Sequence, residues 1–158
     1  MSAISAKYST TWISTNLYLV DANVLLYATD SSARHHDACR HWLEESLNGQ
    51  VRVGLPVQSL AAFLRIGTHP RIMANPLEPH QAWAIITEWL DAPTSWIPDV
   101  TARTVDLLGT LVVEYEVTGN LVTDAQIAAQ AIEYGLTVAT LDTDFARFPI
   151  QVLDPRSV

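Results

Sequence analysis

Positive charge is scarce in this sequence: nine Lys and Arg stand against seventeen Asp and Glu, for a formal net charge of −8. That weighs against broad electrostatic binding of nucleic acid, which rests on many basic side chains neutralising phosphates. Two routes stay open. Acids occupied by a cation invert the local field, or the few basic residues gather on one face. Cysteine is nearly absent. The single thiol, Cys39, excludes a disulfide framework and a cysteine-rich zinc site, and a reducing compartment is the natural expectation. Cys39 itself reads as a small apolar core residue. Long hydrophobic runs are also missing. The most apolar stretch, residues 17–28, is interrupted by Asp21 and Asn23 and is too short to span a bilayer. The N-terminus carries only Lys7 and no long apolar core, so no secretory signal is expected. A cytoplasmic protein without membrane contact is the expectation. Residues 1–15, rich in Ser and Thr, read as a flexible N-terminal extension or an early start codon, and 16–158 as a single domain.

What is present is a globular composition, 49% apolar and 16% charged over 158 residues, enough to bury a core. Apolar runs at 16–21, 51–55, 94–97, 136–141 and 150–153 read as five strands. Helical spacing covers 23–27, 34–47, 59–66, 79–90, 101–116 and 123–134. In the fifth helix Val105, Leu108, Leu111 and Val112 are expected to face inward; in the sixth, Ile127, Ala128, Ala131 and Ile132. Gly135 is the natural cap of that sixth helix. Strands and helices alternate, which predicts a mostly parallel sheet with helices on both faces. Ligands of such sheets bind beyond the carboxyl ends of the strands.

Three acids stand there. Asp21 follows the run LYLV at 17–20, and Asp142 follows VATL at 138–141. Asp124 lies in the first turn of the sixth helix, whose N-terminus points at the same edge. Each has an ordinary reading. Asp124 suits the positive end of a helix dipole, and Asp142 and Asp144 suit a turn. Asp21 is harder to explain, because an acid between Val20 and the run VLL at 24–26 risks burial and then needs a cation or strong donors. Together the three repel one another unless a cation joins them. Oxygen ligands without His or Cys suit magnesium or manganese, and such a site is a setting for metal-assisted phosphodiester hydrolysis. A phosphotransfer receiver domain also gathers acids at strand ends. It needs paired acids at the first strand and a Lys near the last, and no Lys follows Lys7.

Four segments, LVDANVLLY (19–27), AFLRIGTHPR (62–71), LVTDA (121–125) and TLDTDF (140–145), occur in an order and spacing that resemble the PIN-domain family, and within it the VapC-type toxins of bacterial toxin–antitoxin pairs. The resemblance implies a three-layer α/β/α sandwich with a five-stranded parallel sheet and Mg²⁺-dependent cleavage of RNA, with Mn²⁺ as the other candidate ion. It implies Asp21, Asp124 and Asp142 as metal-binding catalytic acids, with Asn23, Thr140 and Asp144 in support. It further implies a 3′-hydroxyl leaving group and 5′-phosphate product, a VapB-type antitoxin covering the acidic cleft, and a homodimer. One position departs from the pattern. Where the family usually carries a Glu on the helix after the second strand, Ala62 stands, and Gln58 one turn earlier offers only a neutral oxygen. That departure predicts one firmly bound ion rather than two. It also keeps a second reading, a catalytically weak or inactive PIN-fold module that binds RNA or protein. For substrate, the cations expected to gather are Arg65, His69 and Arg71, with Arg34, His35 and His36 as a second group. Tyr27, Trp42, Trp83, Trp89 and Trp96 read as core or partner-interface residues.

Overall fold

The computed structural model describes residues 17–158; the extension expected over 1–15 lies outside them. Five strands, β1 (Tyr18–Val20), β2 (Val53–Gly54), β3 (Ser95–Trp96), β4 (Thr137–Ala139) and β5 (Val152–Leu153), form one sheet in the order β3-β2-β1-β4-β5. Every pairing is parallel. The strands are shorter than their apolar runs, because ladder pairing stops where the chain turns toward a helix. Six helices connect them: α1 (Ala22–Thr29), α2 (His36–Leu47), α3 (Val57–Gly67), α4 (Pro79–Asp91), α5 (Ala102–Glu114) and α6 (Leu121–Tyr134).

Strand alternation explains the three layers. Successive side chains of a strand face opposite sides of its sheet. Leu19 and Val138 enter a core with α5 and α6, while Val20 and Ala139 enter a second core with α1 to α4. Both members of each pair are fully buried, which is why β1 and β4 read as continuous apolar runs. Cys39, Trp42 and Leu43 share the buried face of α2 as expected, and burial pushes the Cys39 thiol up to about 11. The sixth helix ends at Gly135 with φ 67°, a left-handed cap that glycine adopts without strain.

One apolar expectation fails. Val105 is 59% exposed, and the inward residues of α5 are Thr104, Leu107 and Leu111. The cause is polar. Thr101 caps α5, and the hydroxyls of Thr101 and Thr104 both donate to the Glu133 carboxylate on α6. This clamp fixes the rotation of α5 about its axis and turns Val105 outward. Of the tryptophans read as core or partner-interface residues, Trp83 is 58% exposed, whereas Trp89 packs edge-on against Phe63 at 4.9 Å. Ala82 and Ile86 carry the burial of α4 instead.

The chain leaves β1 toward β2 and β3 on one side and returns to β4 and β5 on the other. The direction of winding therefore switches between β1 and β4, which opens a crevice at their carboxyl ends. In register, Val20 lies beside Ala139, so Asp21 emerges beside Thr140.

Candidate metal centre

Asp21 is the N-cap of α1. One carboxylate oxygen accepts from the Ala22 backbone N–H at 2.8 Å, and the other accepts from the Thr140 hydroxyl at 2.8 Å. Thr140 is 1% exposed and is a junction. Its Oγ1 also accepts from the Asn23 side-chain amide at 3.1 Å and from the Asp142 backbone N–H at 3.0 Å. Asn23 Oδ1 in turn accepts from the Leu141 N–H at 3.3 Å. This network ties the start of α1 to the end of β4 across more than a hundred residues of sequence. Asn23 and Thr140 thus lie at the crevice with Asp21.

Asp142 caps the 3₁₀ turn Thr143–Arg147, with one oxygen accepting from the Asp144 N–H at 2.8 Å. That turn brings Asp144 round to the crevice. One carboxylate oxygen from each of Asp124, Asp142 and Asp144 lies within 4.8 Å of the others. Asp124 reaches them from the first turn of α6. Asp21 stands outside this trio, with both oxygens already accepting hydrogen bonds, but its charge still reaches Asp124. Asp144, expected only in support, is therefore among the three acids that the geometry brings closest.

The electrostatics record the crowding. Burial raises the Asp124 carboxyl to about 7, with further upward pushes from Asp142, Asp21 and Asp144, in that order. Arg147 pulls in the other direction. Burial also raises Asp21, against the donors Thr140 and Ala22 and with a small push from Asp142. Both acids hold protons more tightly than a free Asp because burial strips water from the charged form and neighbouring carboxylates repel it. Three carboxylates without His or Cys form a donor set for a hard divalent cation, and the half-buried oxygens leave room for solvent or a substrate oxygen on one side.

Two contacts escaped sequence reasoning. Gln58, in the first turn of α3, donates through its amide to the Thr123 carbonyl at 2.7 Å, bracing the turn that carries Asp124. Its Oε1 is buried with no partner among the described residues. Arg147 sits 3.9 Å from Asp144. The spacing Asp144-Phe-Ala-Arg147 would have signalled it, since residues three apart eclipse on a 3₁₀ turn. By contrast, Arg65, His69 and Arg71 lie toward or past the far end of α3. At ~1.5 Å per residue that is about 12 Å or more along the helix from Val57. The His69 ring accepts the Arg71 backbone N–H at 3.1 Å and so shapes its own loop. His36 bonds the Tyr27 carbonyl at 2.9 Å, and His35 packs edge-on against the Tyr27 ring.

The profile of the PIN domain matches residues 18–151, nearly all of the described chain. The chain belongs to the PIN domain family. Among curated relatives, Ribonuclease VapC37 of Mycobacterium tuberculosis is 37% identical over 130 residues, 82% of this chain and 90% of that protein. Ribonuclease VapC33 of the same organism is 36% identical over 132 residues, 84% and 92% of the two chains. In fold, the chain resembles VapBC2 from Rickettsia felis, solved bound to a promoter DNA fragment, with TM-score 0.66, 22% identity and coverage of 87% and 97%. It also resembles Mycobacterium tuberculosis VapC20, a sarcin-ricin loop cleaving toxin, with TM-score 0.62, 15% identity and coverage of 82% and 92%. The PIN fold expected from the four motif segments is thus the fold observed, with all five strands parallel. Among the described residues no helix is long and apolar enough to cross a membrane.

Proposed function

We propose that this PIN-domain chain is an Mg²⁺-dependent endoribonuclease, the toxin of a toxin–antitoxin pair, working in the cytoplasm. The carrying observation is the convergence of Asp124, Asp142 and Asp144 oxygens within 4.8 Å at the switch point of the sheet. Relatives named as VapC ribonucleases, a third or more identical over most of their length, supply the reaction class. Mn²⁺ suits the same donor set.

Asp124, Asp142 and Asp144 would hold the cation, with Asp21 as the fourth charge. When bound, the cation supplies Lewis acidity and a water of lowered pKa. The chain's own residues do the rest. The hydroxyl of Thr140 and the N–H of Ala22 fix the Asp21 carboxylate in one orientation. The Asp144 N–H fixes one oxygen of Asp142 and leaves its other oxygen available. Gln58 holds the first turn of α6 and with it the position of Asp124. Fixed carboxylates orient an attacking water relative to a phosphodiester without reorganising during the reaction. The half-buried setting of Asp124 strengthens each of these interactions. One firmly bound ion is expected, because Ala62 brings no further carboxylate from α3.

The expected partners are single-stranded or loop RNA as substrate, a VapB-type antitoxin as inhibitor and a second copy of the chain. VapBC pairs among the structural neighbours support the antitoxin. The test is cleavage of a structured RNA with Mg²⁺, compared with EDTA and with Asp124→Asn and Asp21→Asn. Cleavage with Mg²⁺ alone supports the reading. Equal RNA survival in all four, with RNA still bound, would return the chain to a binding module.

A further inference from the structure

An acidic ribonuclease must still seat the phosphates that flank its scissile bond. Several of its arginines are committed elsewhere. Arg40 bonds Glu44 at 2.8 Å, Arg156 forks onto Asp154, and Arg52 stacks over Trp96 at 4.5 Å. Arg147 differs. Its distance to Asp144 is 3.9 Å, beyond a hydrogen bond, and its side chain is 40% exposed. Its position is also set by rigid structure. Phe145 is fully buried and Phe148 nearly so, edge-on to each other, so the turn is anchored on both sides of Arg147. On that 3₁₀ turn Arg147 eclipses Asp144, one of the three converging acids. The guanidinium therefore stands at the mouth of the acidic crevice.

We propose that Arg147 is a substrate-binding residue that takes the phosphodiester beside the scissile one. This rests on the ribonuclease reading above. Without a cation, Arg147 is drawn toward Asp144 and Asp124. Once the carboxylates are neutralised by a cation, that attraction falls and the fork is free for a phosphate. Arg suits this task, since its planar donors match two phosphate oxygens at once. The turn that carries Arg147 is anchored by the buried phenylalanines, so the backbone loses little freedom on binding.

The test measures binding of a short fluorescent single-stranded RNA in Ca²⁺ across a salt series, with the RNA checked intact afterwards. Arg147→Met is expected to weaken binding about tenfold. It is expected to reduce the slope of log K against log salt by about 0.7, the share of one phosphate contact on a single strand. Arg147→Lys keeps the slope while losing part of the affinity. Mn²⁺ affinity, followed by electron paramagnetic resonance, is expected to hold or tighten in Arg147→Met. An unchanged RNA affinity and salt slope, with only Mn²⁺ affinity altered, would overturn the proposal and leave Arg147 as a neutraliser of the acids. If Arg147→Met melts at a lower temperature than the wild type, Arg147→Gln serves the same comparison. Failure of the wild-type chain itself to bind any RNA marks a different fault, in the ribonuclease reading on which the proposal rests.

Discussion

Replacing Asp124 by Asn is expected to make the metal-free protein more stable at pH 8 while abolishing its response to Mg²⁺. The sign follows from the raised carboxyl. Asp124 titrates near 7 in the folded chain against an ordinary 3.8. Between those values the unfolded chain has released its proton and the folded chain has not, so stability falls as pH rises through that window and the full cost is present above about 7. About 3 units at ~1.4 kcal/mol each gives an upper bound of about 4 kcal/mol. Asp124 is only half-buried, and solvent screens its repulsions, so about 1–2 kcal/mol is the working figure. For a domain of this size that is a rise in Tm of about 3–8 °C. The assay is thermal melting of wild type and Asp124→Asn in EDTA at pH 4 and pH 8, then with added Mg²⁺. Near pH 4 the two should melt together. At pH 8 the variant should melt higher, and Mg²⁺ should raise only the wild type. A residual slope is expected in the variant, since Asp21 is raised as well. If Asn lowers the melting temperature equally at both pH values, crowding of charge is not what Asp124 contributes, and the cation-site argument fails with it.

Other consequences are as specific. Thr140→Val removes the hydroxyl shared by Asp21, Asn23 and the Asp142 N–H. It should cost about 1–3 kcal/mol in urea unfolding, with Thr140→Ser restoring most of it. Glu133→Ala leaves the Thr101 and Thr104 hydroxyls without their acceptor and should lower stability by a similar ~1–3 kcal/mol while leaving Mn²⁺ affinity unchanged. Ala62→Glu returns an acid to the helix that carries Gln58. It should tighten Mn²⁺ binding about tenfold or add a second ion by calorimetry; unchanged affinity and stoichiometry would mean that residue 62 does not face the carboxylates.

The parts of the site that sequence disclosed are those fixed by local pattern. A buried apolar run that stops at an acid marks the end of a parallel strand, and Asp21 and Asp142 both carry that mark. Their adjacency needed only the rule that parallel strands present the same edge. Asp124 followed from a helix start on that edge. What stayed hidden depends on contacts between distant segments. The Thr140 hydroxyl finds Asp21 across 119 residues. The clamp of Glu133 on Thr101 and Thr104, which rotates Val105 outward, joins two helices about thirty residues apart. Helical periodicity sees neither, because it scores apolar faces and is blind to a buried Thr that carries the rotation. Arg65, His69 and Arg71 were grouped by nearness in sequence, and they share the last turn of α3 and the loop that follows it.

The acidic balance of the chain acquires a meaning from the same geometry. A −8 chain repels RNA on average, yet average charge governs only long-range encounter, which salt screens within about 8 Å at physiological ionic strength. Inside the crevice the local account differs. Four carboxylates and Arg147 meet there, and a single divalent cation cancels two of the four charges outright. Arg147, which the cation frees from Asp144, then supplies one further positive charge beside the phosphate. RNA binding should therefore depend on the cation far more steeply than an ordinary basic nuclease would, and the two should be thermodynamically linked. Saturating RNA must tighten the ion by the same factor as the ion tightens RNA. Titrating Mn²⁺ with and without RNA measures that factor, and equal Mn²⁺ affinity in both would show that the acids and the phosphate seat are independent.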